Sequence, residues 1–256
     1  MTAEKCRVCD AGLEHVFVDL GMSPISNDFV AADKANAMEP FYPLRVYVCH
    51  ECWLVQLPAV QSADSIFRDD YAYFSSMSKS WLAHAKSYVD MISERFGIGA
   101  DRSVVEIASN DGYLLQYFVE RGVPVLGVEP CGNVAQAARD IGVETVAEFF
   151  GTEFATGLVA GRPRPDLVVG NNVLAHVPDL RDFVGGLKVL LADGGVITME
   201  FPHLARLIEF NQFDTIYHEH FSYFSLLAVQ HVFSLYGLRI FDVEEIPTHG
   251  GSLRIF

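Results

Sequence analysis

Three features of the chain predict an α/β protein, a doubly wound and mostly parallel sheet with a small metal-stapled module ahead of it. Beyond Gly97, short apolar runs alternate with helical stretches. Before residue 60, four of the five cysteines fall into two C-x-x-C pairs. Between these regions, apolar residues recur every three to four positions. Half of the 256 residues are apolar, enough for one large core and a satellite. The expected segments are a module over 1–60, a helical linker over 61–97 and a sheet domain over 98–256.

The first segment carries Cys6, Cys9, Cys49 and Cys52. Each pair turns two sulfurs toward one point, and in a reducing compartment four thiolates around a tetrahedral zinc are the expectation. Two incidental pairs or a redox dithiol are the alternative. Four sulfurs leave no open position for substrate water, so the zinc staples the module and takes no part in chemistry. Between the pairs, "EHVFVDLG" and "YPLRVYVC" alternate as strands do and are joined by Pro, Asn and Asp turns.

In the second segment, "SKSWLAHAKSYVDMISERFG" puts Trp81, Ala85, Tyr88, Val89 and Ile92 on one helical face, with Gly97 as the stop. The polar, tyrosine-rich "RDDYAYFSSMSKS" before it suits a loop over a ligand or an ordinary helix lead-in. The third segment reads as strands at "SVVEIA", "VPVLGVEP", "VETVA", "PDLVVGNN" and "GGVITMEFP". Helices are expected at "LLQYFVERG", "VAQAARDIG", "TEFATGLVAG" and "LRDFVGGLKVLLAD". A helix through "SLLAVQHVFSLYG" and two more strands, in "LRIFDVEEI" and "SLRIF", complete it.

Composition narrows the partners. A formal charge of -15 argues against nucleic acid, whose binding rests on Lys and Arg neutralising phosphates. A phosphate-bearing small molecule would be held by a few local donors. No run approaches the roughly twenty apolar residues that cross a bilayer, and "MTAEKCRVCD" lacks a secretion-signal pattern, so no membrane partner and a cytoplasmic location are expected.

In a doubly wound sheet the ligand lies outside the carboxyl ends of the strands. The loop leaving the first strand is "VVEIASNDGYLL", with Glu106 inside the strand and Ala108, Ser109, Asn110, Asp111 and Gly112 forming the turn. Small residues admit a ligand close to the backbone, and Asn, Asp and Gly tolerate left-handed torsions. The G-x-G-x-x-G of a dinucleotide site is missing. Seventeen residues past Gly112 the second strand ends in "GVEP", where Glu129 can accept from two ribose hydroxyls. A ribose-bearing cofactor without a pyrophosphate fits both observations. Asn171 and Asn172 end the fourth strand and can point amides into the same crevice, while the lone His176 reads as structural.

One run remains, "YHEHFSYFS" from Tyr217 to Ser225. Three proton-exchanging side chains among aromatics suit the wall of a pocket, because an unpaired charge is costly to bury in a plain core. A divalent metal on His218, Glu219 and His220 is a competing reading. In a helix the two histidines lie about 200° apart, and in a strand neighbours point to opposite faces, so neither regular structure makes the three converge. An aromatic core with incidental histidines is the bland one.

The cysteine pairs, "DLGMSPISNDF", "YPLRVYVCHECWLVQL", "EIASNDGYLL", "GVEP", "NNVLAHV", "YHEHFSYFS" and "HGGSLR", taken in order over nearly the whole chain, resemble the bacterial sugar C-methyltransferases. The resemblance implies a class I methyltransferase-like fold, transfer of methyl from S-adenosylmethionine, and an acceptor carbon on a nucleotide-linked, thymidine diphosphate-type keto-deoxysugar. It places structural zinc on Cys6, Cys9, Cys49 and Cys52, and the cofactor on Ala108, Ser109, Asn110 and Gly112 with Glu129 at the ribose. It further places the sugar near Tyr71, Tyr217, Glu219 and His220. The resemblance also implies a further α/β domain past "HGGSLR"; the sequence given stops at Phe256, so the expectation is either a fragment or a different mode of nucleotide recognition.

A carbon acceptor needs a carbanion equivalent, which a neighbouring ketone supplies as an enolate. An imidazole of ordinary pKa near ~6.5 suits the proton removal. The expectation is His220 as base, Glu219 or a neighbouring carboxylate setting its tautomer, and Tyr217 donating to the enolate oxygen. A zinc-bearing methyltransferase of RNA or protein, and a non-catalytic binding module, are the other classes.

Overall fold

The structure, a computed structural model, describes residues 4–62, 67 and 71–256. Part of the expected linker, including the start of its tyrosine-rich lead-in at Arg68–Asp70, lies outside the described residues. In chain order the elements are β1 (His15–Ser23), β2 (Tyr42–Val48), β3 (Val55–Gln56), α1 (Lys79–Phe96), β4 (Val104–Ile107) and α2 (Leu115–Val119). Next come β5 (Val125–Val128), α3 (Gly132–Asp140), β6 (Thr145–Val146), α4 (Thr152–Gly161), β7 (Leu167–Asn171) and α5 (Leu180–Leu190). The chain ends with β8 (Val196–Pro202), α6 (Leu204–Glu209), β9 (Ser222–Tyr223), α7 (Leu226–Ser234), β10 (Val243–Ile246) and β11 (Ser252–Ile255).

Two compact units result, and they do not follow chain order. One comprises residues 1–66, 174–181 and 200–255; the other comprises 67–173, 182–199 and 256. The physical reason is a late strand that joins an early sheet. The four-stranded sheet has the order β1-β2-β3-β9, with β9 antiparallel to β3 through Val55↔Tyr223 and Gln56↔Ser222. Leu44, Val46, Val55, Leu57, Leu204, Leu207, Ile216 and Tyr223 form the core of this first unit. In the same unit buried Arg254 binds Glu200 Oε2 and Glu244 Oε2 at 3.0 Å each, and Thr248 donates to Glu200 Oε1. A fully buried carboxylate is thereby paired.

The second unit is built on α1 and a parallel sheet. Ser78 caps α1 by accepting the Trp81 N–H, and Gly97 ends it in the left-handed region at φ 63°. Its buried face is Trp81, Ala85, Tyr88, Val89 and Ile92, as the spacing predicts. Tyr88 and Thr198 share a buried hydroxyl–hydroxyl bond of 2.5 Å, and Trp81 stacks on Tyr113 at 5.8 Å. β4 pairs in parallel with β5 and β7, and β5 with β6. In this unit the strand order is β8-β7-β4-β5-β6, while in the first unit β10 and β11 pair antiparallel. The first strand of this sheet, β4, therefore stands where the order reverses, and the crevice at a topological switch point opens at its carboxyl end. Among the described residues no helix is long and apolar enough to cross a membrane.

Candidate active site

The four cysteines of the first unit come together. Their sulfurs all lie within 4.8 Å of one another, with Cys6–Cys52 and Cys9–Cys49 at 3.5 Å. A tetrahedron of ~2.3 Å zinc–sulfur bonds has edges of about 3.8 Å, so the donor set fits zinc. Both pairs use one backbone device. The carbonyl of the first cysteine accepts the N–H of the residue after the second, Asp10 to Cys6 and Trp53 to Cys49, and those residues are left-handed at φ 61°. Trp53 keeps half its surface exposed there. Crowding splits the thiols: a hydrogen bond with Cys52 holds Cys6 down at about 4, while Cys52 itself is pushed up. No other set of three or more metal-ligating side chains converges among the described residues, so the metal reading of His218, Glu219 and His220 has no support.

In the second unit the turn after β4 adopts the torsions its composition allows. Ala108, Asn110 and Gly112 alternate through φ 55°, 50° and 78°, with Ser109 and Asp111 between them. Such torsions are cheap for Gly, tolerable for Asn and costly for Ala, so the sequence spends strain here. Gly112 is irreplaceable on a second count, since a Cβ would stand 3.0 Å from Val143 Cγ2. Glu129, at the end of β5, accepts the Asn110 N–H on one oxygen and the Cys131 N–H on the other, both at 3.0 Å. Its carboxylate keeps lone pairs for further donors, while burial raises its pKa. Glu106, wholly buried beneath, is held well above the usual carboxylate range by burial, with Asp111 and Glu129 adding repulsion and Tyr113 offsetting part.

The Asn110 side chain serves the segment before α1. Its Oδ1 accepts the Ser75 N–H at 2.8 Å and its Nδ2 donates to the Tyr73 carbonyl at 3.2 Å. Asp111 Oδ2 accepts the Ser76 N–H, and Asn133 Nδ2 donates to the Tyr71 carbonyl. Residues 71–76 are thus strapped to this turn, a short amide or carboxylate doing for a loop what strand pairing does elsewhere. The Tyr71 ring leans on Phe67 at 5.6 Å. Asn171 ends β7 beside β4, and Asn172 follows it, left-handed at φ 53°. Ser109 Oγ, Asp111 Oδ1 and both amide atoms of Asn171 are buried with no partner among the described residues. A ligand with hydroxyl, ammonium and carboxylate groups answers that set, so the turn fits S-adenosylmethionine.

The aromatic run lies in the first unit, and there the group that fixes the His220 tautomer differs from expectation. His220 Nδ1 lies 2.8 Å from the Thr215 carbonyl, which can only accept, so Nδ1 carries the proton and Nε2 the lone pair. Tyr217 O–H donates to that Nε2 at 2.9 Å. The tautomer is therefore set by a main-chain carbonyl and not by Glu219, whose Oε1 accepts instead from Asn27 Nδ2 at 2.9 Å. His218 Nε2 donates to the Pro43 carbonyl at 3.2 Å. Burial depresses His220 to about 4, partly offset by the Thr215 carbonyl, with His249 lowering it further. At neutral pH the ring is uncharged.

His176, read from the sequence as structural, stands edge-on to His220 with ring centroids 4.7 Å apart. Burial and then His220 push it to about 3, against the Glu219 main chain, which raises it. Two neutral imidazoles and the Tyr217 phenol thus share one cluster, beside Tyr223, whose ring is 6.2 Å from that of His220. Only the place of "AHV" directly after β7 hinted at His176.

Residues 6–67 match the family described as "Putative zinc binding domain", and residues 81–243, more than half of the chain, match "Methyltransferase domain". The C-methyltransferase NovU of Streptomyces niveus is 38% identical over 253 residues, 99% of this chain and 60% of its own length. The chain thus spans less than two thirds of that relative. Among solved structures, the PH0226 protein of Pyrococcus horikoshii OT3 is similar at a TM-score of 0.55 and 16% identity, covering 72% of this chain and 92% of its own. The magnesium protoporphyrin IX methyltransferase of Synechocystis PCC 6803, solved with bound S-adenosylhomocysteine, gives 0.51 and 13%, covering 68% and 80%. At these identities the likeness is one of fold.

Proposed function

The chain belongs to the methyltransferase family, with an N-terminal domain of the zinc-binding family, and from that membership we propose that it methylates a carbon of a nucleotide-linked keto-deoxysugar. S-adenosylmethionine supplies an electrophilic methyl group to whatever nucleophile the protein generates. The relative named as a C-methyltransferase supports a carbon acceptor. The observation that carries the mechanism is the His220 ring, neutral and fixed by the Thr215 carbonyl with its lone pair on Nε2.

His220 Nε2 takes the proton next to the ketone, and the C–H electron pair becomes the enolate. Tyr217 O–H, which rests on Nε2, turns to the keto oxygen as negative charge grows there and frees the lone pair in the same movement. Burial alone makes the imidazolium costly, and the enolate charge formed beside it offsets that cost. The aromatic walls from Phe221, Tyr223 and Phe224, all buried, exclude water that would return the proton. With S-adenosylmethionine bound, the enolate electron pair would form the new C–C bond as the S–CH3 bond breaks and S-adenosylhomocysteine is left, and the proton leaves His220 to solvent. Ala108, Ser109, Gly112, Asn171 and Asn172 shape the cofactor turn, Glu129 holds ribose hydroxyls, and Tyr71 belongs to the acceptor side.

The test is incubation with labelled S-adenosylmethionine and a panel of thymidine diphosphate-linked keto-deoxysugars, with His220→Asn alongside. Label is expected on a sugar carbon in the wild type. The variant should bind S-adenosylhomocysteine within about twofold of wild type and lose at least ~100-fold in turnover. Unchanged turnover in the variant rules His220 out as the base.

A further inference from the structure

We infer that the four-cysteine module is the mould of the histidine turn, with Arg7 and Asn27 as the positioning residues through which it acts. This rests on the proposed role of His220, and it concerns the first unit alone. Arg7 follows the ligand Cys6 directly. Its N–H goes to Gln56 Oε1 at 3.0 Å, while Gln56 Nε2 donates to Cys6 Sγ at 3.2 Å, so one glutamine ties ligand and arginine together. From that anchor the guanidinium reaches three segments. Nη2 donates to the Leu57 carbonyl, Nη1 to the Pro178 carbonyl at 3.0 Å, and the plane lies 5.4 Å from the centre of the Phe221 ring.

Each target bears on the imidazoles. Phe221 is the residue after His220, and its own N–H goes to the Ala175 carbonyl, one residue from His176, while its carbonyl accepts the Leu57 N–H. Pro178 lies two residues beyond His176. A planar donor fork can bridge three such groups at once, which an ammonium on a flexible stem cannot. Fixing a half-buried cation between three segments costs desolvation with no return if the arginine were only surface decoration. On the other flank Asn27, left-handed at φ 59°, sends Nδ2 to Glu219 Oε1, and the Pro43 carbonyl takes His218. Residues 218, 219 and 221 are therefore each gripped by the module, and His220, between them, needs only the Thr215 carbonyl to complete its orientation.

The consequence is that the module sets the ring geometry through two side chains, neither of which is a cysteine ligand or the proposed base. The experiment uses the zinc-loaded protein and its Arg7→Ala and Asn27→Ala variants, with zinc content checked by elemental analysis. The readout is the 15N spectrum of the His220 ring. Wild type is expected to show one neutral ring protonated on Nδ1 across pH 6–8. Both variants should keep full zinc and show averaged ring nitrogens, with faster amide exchange at residues 217–223. Guanidinium chloride added to Arg7→Ala should restore the wild-type pattern in part. A single Nδ1–H ring in both zinc-loaded variants overturns the inference. So does averaging that guanidinium leaves untouched in Arg7→Ala while Asn27→Ala stays wild type. Neither result touches the assignment of His220 as base, which stands or falls on the turnover of His220→Asn.

Discussion

Replacing Glu129 by Gln separates two jobs that its carboxylate can hold. In the structure each oxygen accepts one main-chain N–H, from Asn110 and from Cys131. An amide keeps one acceptor and turns an NH2 group against the other donor. One charge-assisted bond, about 1.5–3 kcal/mol, is lost, and a buried N–H is left without a partner. A net loss of roughly 2–3 kcal/mol follows, which lowers the thermal midpoint of a chain this size by about 5–10 °C. If ribose hydroxyls also bind the carboxylate, affinity for S-adenosylhomocysteine falls by about tenfold or more. Calorimetric titration alongside thermal unfolding reads both. A drop in midpoint with affinity held within about twofold refutes the ribose role and leaves Glu129 as a tie between β5 and the turn.

Three other outcomes are expected. Gly127→Ala sets a Cβ 2.4 Å from Ser109 Oγ and 2.9 Å from Thr145 Oγ1, so it should cost about 1–3 kcal/mol and weaken S-adenosylhomocysteine binding; an unaltered urea midpoint and affinity would show that Ser109 moves freely. His220 is depressed to about 4 from an unfolded value near ~6.5, so its contribution is complete above that value and is lost as pH falls. The wild type should lose about 2 kcal/mol more than His220→Asn between pH 7 and 5 in urea unfolding, and equal losses would contradict the burial of a neutral ring. Dialysis against a strong chelator should release zinc and raise amide exchange across residues 15–56 while α1 stays protected. Retained protection in 15–56 without zinc would show that the module folds on its apolar core alone.

The parts of this molecule that are written in side-chain identity were readable. The cysteines, the helical face of α1 with Gly97 as its stop, and the turn from Ala108 to Gly112 all stand where spacing put them. The two-residue strands β3 and β9 were not, because two residues carry no periodicity. Missing that pair concealed the return of the chain to the zinc module. The tautomer of His220 was equally out of reach, since its determinant is the carbonyl of Thr215, and every residue has a carbonyl. Asn110 takes the left-handed torsion expected of it, but the partners of its amide, from Tyr73 to Ser75, are too far along the chain for local spacing to show. His176 and Asn27 act through partners distant in sequence, which no local pattern announces.

The two tryptophans are divided one to each compact unit. Trp81 is nearly sealed and stacked on Tyr113, directly after the cofactor turn, whereas Trp53 sits half-exposed on the second zinc knuckle. Indole emission shifts to the blue when shielded and to the red when wet, so the protein carries two intrinsic dyes of different colour. With Trp53→Phe the remaining fluorescence comes from beside the cofactor turn, and with Trp81→Phe it comes from the metal knuckle, so donor binding and metal release can each be followed by light without any attached label.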